Sequence, residues 1–113
     1  MVEAMNFGKA VIGTDFSGST DFLSEQTGFP VSYELRPLQP NEYVWTEGQS
    51  WAEPNHQKAI ELLKLVFENP QIVKKKGDNA RTFVRQRYGK DAVGAIIEAR
   101  IAEIASERSV AGL

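Results

Sequence analysis

Apolar residues change their spacing several times along this chain, and each change marks an element. Glu3, Ala4, Met5 and Phe7 are good or tolerated helix residues, and Gly8 is a helix stop. No capping residue precedes them, so the helix reads as one whose first turn lies upstream of Met1, in a chain cut from a longer protein. Ala10-Val11-Ile12-Gly13-Thr14 is a short apolar run between turn formers, the pattern of a strand buried on both faces. Asp15 to Asp21 is a small-residue loop in which Ser19 is placed to cap a short helix through Phe22 and Leu23, ending at Thr27-Gly28. From Phe29 to Leu35 apolar and polar residues alternate, which predicts a second strand with Pro30 near its start or on an edge.

Between Arg36 and Pro54 no period holds and three prolines interrupt, while Tyr43, Trp45 and Trp51 sit among polar residues. This predicts a long loop pinned by its aromatic side chains. The remainder is helical. Asn55 can cap a helix with Ala59, Leu62, Leu63 and Val66 on one face, ending before Asn69-Pro70. A second helix from about Gln71 to Tyr88 carries a stripe of Val73, Ala80, Val84 and Tyr88, with Gly89 as its stop. A third starts at Asp91 and repeats Val93, Ile97, Ile101 and Ile104 before the tail Ser109 to Leu113.

Two strands against four or five helices is an unbalanced inventory, because a two-stranded sheet cannot satisfy its own edges. Further strands upstream repair it. The expected fold class is α/β: the C-terminal portion of a Rossmann-like, doubly wound domain with two short parallel strands and four to five helices. Residues 1–54 form the end of the sheet-bearing part with its long aromatic loop, and residues 55–113 the C-terminal helices of the same domain.

Composition narrows the function without choosing one. The 113 residues are 42% hydrophobic and 25% charged, with 13 Lys+Arg against 15 Asp+Glu and a net charge of -2. No positive excess favours nucleic acid or anionic lipid. The chain has no cysteine, which removes disulfides and thiol chemistry and fits a reducing cytosol. The longest apolar run, Ala10 to Gly13, is far too short for a membrane span, and the first residues lack the basic and apolar regions of a targeting signal.

Several residues invite a chemical reading and most have a plainer one. The turn Ser17-Gly18-Ser19-Thr20 lies where open α/β sheets hold ligands, and its amides could face a phosphate, yet it lacks the lysine and spacing of a P-loop. Asp15 and Asp21 lack a nearby histidine and make a poor metal site, so no metal site and no catalytic residue is assigned. His56, the single histidine, stands at a helix start where it is expected to be solvated. Trp45 and Trp51 could stack on a sugar, but pinning the loop is the simpler expectation. Lys74, Lys75 and Lys76 spread around a helix whose buried side is set by Val73 and Ala80, and read as a solvated face.

Taken together, the run from Glu3 to Phe22 (Glu-Ala-Met-Asn-Phe-Gly-Lys-Ala-Val-Ile-Gly-Thr-Asp-Phe-Ser-Gly-Ser-Thr-Asp-Phe) resembles the C-terminal domain of a GT-B fold, retaining, nucleotide-sugar-dependent glycosyltransferase close to glycosyltransferase family 4. The resemblance continues through the second strand and the block Glu47-Gly-Gln-Ser-Trp51-Ala-Glu-Pro54. It implies a nucleoside diphosphate sugar as donor substrate, with no other cofactor and no metal for the leaving group. Glu3 takes the place of the second of the family's paired glutamates, where its carboxylate would accept from both vicinal ribose hydroxyls of the donor. Ser17, Gly18, Ser19 and Thr20 would border that donor site. The first glutamate, the glycine-rich loop and the upstream basic residues are missing from this chain, as is the N-terminal acceptor domain. The chain alone is therefore expected to be inactive.

The resemblance also implies that the last helix packs on the missing domain. Without that cover its apolar face, within residues 91–105, is expected to self-associate. The expected location is the cytoplasm, with the intact protein allowed at a membrane periphery. The alternative reading is a non-enzymatic α/β interaction module that uses the apolar C-terminal helix to bind a partner.

Overall fold

The computed structural model describes residues 1–110. In chain order these form α1 (Val2–Asn6), β1 (Val11–Thr14), a 3-10 turn (Ser17–Asp21), β2 (Gly28–Val31), β3 (Tyr33–Pro37), β4 (Ser50–Pro54), α2 (His56–Glu68), α3 (Pro70–Tyr88) and α4 (Lys90–Val110). The class is mixed α/β, with two separate two-stranded sheets among the described residues. β1 and β2 run parallel, Val11 opposite Gly28 and Thr14 opposite Val31. β3 and β4 run antiparallel, from Tyr33 opposite Pro54 to Pro37 opposite Ser50.

Two expectations are corrected here. The single strand expected over Phe29 to Leu35 is broken at Ser32: β2 pairs with β1, while β3 leaves to pair with β4. The Ser32 carbonyl accepts the Asn55 amide at 2.8 Å, which closes the base of the new hairpin. The stretch expected as one long loop between Arg36 and Pro54 thus ends in a strand. Arg36 stands opposite Trp51 in the ladder and donates to Glu53 on the same strand at 2.9 Å, contacts that no period along the chain reveals.

The parallel pair carries helices on both faces. Val11 joins the cluster of Met5, Leu23, Ala80 and Val84, whereas Ile12 joins that of Phe29, Val31 and Leu62, as the alternation of a strand requires. Met5 is fully buried, a side chain whose burial contributes about 1.5–3 kcal/mol. β1 itself, expected to be buried on both faces, is only half-buried at all four positions, because a pair two strands wide leaves an edge beside each strand.

Helix ends follow local chemistry. α1 closes with the Lys9 amide donating to the Ala4 carbonyl at 3.0 Å and Gly8 donating to Met5 at 2.8 Å. Gly8 adopts φ of 73°, the left-handed geometry that this closure needs. Asn55 caps α2, its Oδ1 accepting the Lys58 amide at 2.9 Å. Pro70 opens α3 at a position where its missing N–H costs nothing. On α2, Leu62 is buried but Leu63, expected beside it, is 58% exposed, and at the end of the α3 stripe Tyr88 is exposed too. The Tyr88 ring lies 6.2 Å from that of Phe83, at the margin of the stripe and not within it.

α4 begins at Lys90, directly after the Gly89 that ends α3. Val93, Ile96, Ile97, Ile101 and Ile104 are all exposed. The end of the tail, residues 111–113, lies outside the described residues.

Candidate functional site

The two ends of the parallel pair differ in what covers them. At the amino ends α3 presses closely: Gly77 faces the Gly8 carbonyl and the Ala10 amide, and Lys76 Nζ donates to the Gly28 carbonyl at 2.8 Å. At the carboxyl end of β1 the start of α1 arrives, with the Met1 methyl 2.8 Å from where a β-carbon on Gly13 would stand. Glu3 sits in the first turn of α1, toward the end where open α/β sheets bind ligands.

Glu3 is exposed, and its carboxylate lies 3.5 Å from the Met1 ammonium. Its pKa is held below the usual glutamate value, first by the backbone amide of Glu3 itself and then by that ammonium. Beside it opens a cleft of about 300 Å³ that Glu3 lines together with Asn6, Arg85, Tyr88 and Lys90. Asn6 holds Arg85 in place, its Oδ1 accepting from Nε at 3.0 Å. The cleft therefore offers one anionic acceptor and two cationic donors, a set suited to a ligand with both hydroxyl groups and negative charge.

Ser17, Gly18, Ser19 and Thr20 do not line this cleft. Ser19, expected to cap a helix, lies inside the 3-10 turn, and its hydroxyl shares its one proton between the Thr14 carbonyl at 2.7 Å and the Phe16 carbonyl at 2.8 Å. Thr20 likewise donates to the Ser17 carbonyl at 2.7 Å. These hydroxyls brace the turn that leaves β1. The link to Glu3 runs through the far end of the turn, where Tyr88 of the Glu3 cleft donates its hydroxyl to the Asp21 carbonyl at 3.0 Å.

The remaining candidates separate clearly. Asp15 uses its amide on the Val31 carbonyl at 2.9 Å, and among the described residues no three or more His, Asp or Glu side chains are grouped to hold a metal. His56 is exposed at the start of α2, 3.8 Å from Glu53. Lys74 pairs with Asp78 at 2.6 Å on the surface. Lys76, expected to be solvated, is largely covered: it bonds the carbonyls of Glu25 and Gly28 and lies 4.5 Å from the centre of the Phe29 ring. Its position between Val73 and Ala80 on the buried stripe is the signal that could have singled it out.

The tryptophans differ from each other. Trp51 is half-buried beneath Arg36, whose guanidinium carbon is 4.7 Å from the ring centre, and its indole N–H donates to Glu53 at 3.2 Å. Trp45 pins nothing: it is 88% exposed, contrary to the expectation for both. The loop is held instead by Arg36 and Glu42, residues that sequence reasoning passed over. Glu42 accepts from both terminal nitrogens of Arg36 at 2.8 Å and from the Gln39 amide at 2.7 Å.

No family model, curated protein or solved structure matches this chain. No helix among the described residues is long and apolar enough to cross a membrane.

Proposed function

We propose that this chain supplies a corner of the donor site of a retaining, nucleotide-sugar-dependent glycosyltransferase of the GT-B, family-4 kind, acting in the cytoplasm. One observation carries the reading: Glu3 presents an exposed, ionised carboxylate beside an open cleft, toward the carboxyl end of a parallel strand pair. In this reading Glu3 accepts hydrogen bonds from both hydroxyls of the donor ribose, and Arg85 and Lys90 face its charged part across the cleft. The open edges of the parallel pair are where further strands of the domain would join.

The test is calorimetry with UDP and GDP on this chain beside a version extended upstream by the rest of the domain. The expected result is binding by the extended form, weakened about tenfold to a hundredfold by Glu3→Gln. Absence of binding by both forms, with this chain folding cooperatively alone, removes the donor-site reading.

A second reading is favoured by α4. Its five exposed aliphatic residues, from Val93 at 39% to Ile96 at 65%, form a surface suited to a protein partner or a second copy of this chain. That would make the chain a non-enzymatic interaction module.

A further inference from the structure

A second cleft opens at the tip of the β3–β4 hairpin, enclosing about 440 Å³, and it shares no residue with the cleft beside Glu3. Its walls include Leu38, Tyr43, Trp45, Gln49, Ser50 and Trp51, and no charged side chain lines it. A phosphate, a carboxylate, a metal ion or a nucleic acid backbone each needs opposite charge or a set of hard oxygen donors around it. The lining offers none of these. It offers flat aromatic faces beside an amide and a hydroxyl, which complement a neutral molecule that has apolar ring faces and a rim of hydroxyls. We propose that this cleft binds a neutral oligosaccharide through its pyranose rings.

The aromatic side chains fit that role better than a structural one. Trp45 is 88% exposed and Tyr43 72% exposed, so neither contributes to a core. Trp45 is also held at φ of 53°, a left-handed geometry that is costly for a bulky residue and that clusters at ligand clamps. The frame around them is stiff. Arg36 ties the loop back through its two-pronged pair with Glu42, and it caps one face of Trp51 while Glu53 holds the indole N–H. A ligand meeting this surface finds the Trp51 ring already held, which lowers the entropy lost on binding. The volume falls in the range of roughly 300–1,000 Å³ typical of small-molecule clefts, enough for about two sugar rings.

The test is a titration of the isotope-labelled 113-residue chain with maltotriose, cellotriose and raffinose, following the indole N–H resonances of its two tryptophans. At least one sugar is expected to shift both signals saturably, with no nucleotide present. Trp45→Ala should weaken that binding about tenfold or more, and Trp45→Phe, which keeps a ring, should retain most of it. Because Trp45 is so exposed, circular dichroism of both variants should match the parent. Three outcomes overturn the proposal: no saturable shift with any of the sugars, binding unchanged in Trp45→Ala, or shifts that follow protein concentration and not sugar, which would assign the cleft to a second copy. Glu3→Gln should leave the sugar titration unaltered, while in the upstream-extended form the same change weakens UDP, so this site and the donor site fail separately.

Discussion

Arg36 serves two carboxylates at once, Glu42 through paired bonds of 2.8 Å and Glu53 through Nε at 2.9 Å. Hydrogen bonding to Arg36 comes first among the causes that lower the Glu42 pKa from 4.5 to about 2, and the Gln39 amide adds to it. Folding thus favours the ionised carboxyl. Its contribution is fully present above pH 4.5 and is lost as the pH falls through about 2. Near-ultraviolet circular dichroism of Trp51, which lies under Arg36, should report the hairpin loosening across that window. Glu42→Gln should remove this part of the acid dependence and leave the hairpin looser at neutral pH; an unchanged titration would sink the assignment. None of this was legible in the residues themselves. Arg36 and Glu42 fall in a stretch without a period, and only the turn of the hairpin brings them together.

At the scale of elements, α3 depends on a glycine. A β-carbon on Gly77 would collide with the Gly8 carbonyl oxygen and stand 3.1 Å from the Ala10 amide nitrogen, both of them backbone atoms that cannot swing aside. Gly77→Ala gains up to about 1 kcal/mol of helix propensity but forces α3 off α1 and the start of β1, an overpacking cost of about 1–3 kcal/mol. The expected net result is a lower urea midpoint. Gly94, within α4, has nothing within 4 Å of the same construction, so Gly94→Ala should be neutral or raise the midpoint. If both substitutions behave alike, close packing at Gly77 is not what holds α3. The start of α2 was legible because Asn55 acts on its own next turn, whereas Pro70, read only as following the end of α2, in fact opens α3. The split of the expected second strand at Ser32 was not, since alternation continues across it and pairing partners decide where one sheet ends.

The whole molecule is extended. Its radius of gyration of 19.5 Å and extents of 61 × 43 × 17 Å compare with a radius near 13 Å for a closely packed domain of this length. Two small apolar clusters hold the centre, while α4 keeps its aliphatic face in the open. If that face docks on a second copy, sedimentation velocity should show a mass that doubles with concentration, and Ile97→Glu combined with Ile101→Glu should return the monomer without loss of helix. A chain that stays monomeric up to about millimolar concentration, in a range where weak dimers of Kd near that value would appear, removes self-association.

The sequence by itself determined the helices α2, α3 and α4, the stop at Gly8, the strand β1 and the α/β class, because periodicity, caps and breakers act between residues within a turn or two of one another. Tertiary structure alone decided that β3 and β4 form a hairpin, that Lys76 is covered and Trp45 bare, and that Glu3 shares a cleft with Arg85 and Lys90. Those outcomes rest on contacts between residues far apart in the chain, such as Arg36 with Glu53 at a separation of 17 and Lys76 with Gly28 at 48. A local pattern carries no record of such partners, since the free energy of each contact exists only once the intervening chain has folded to deliver it.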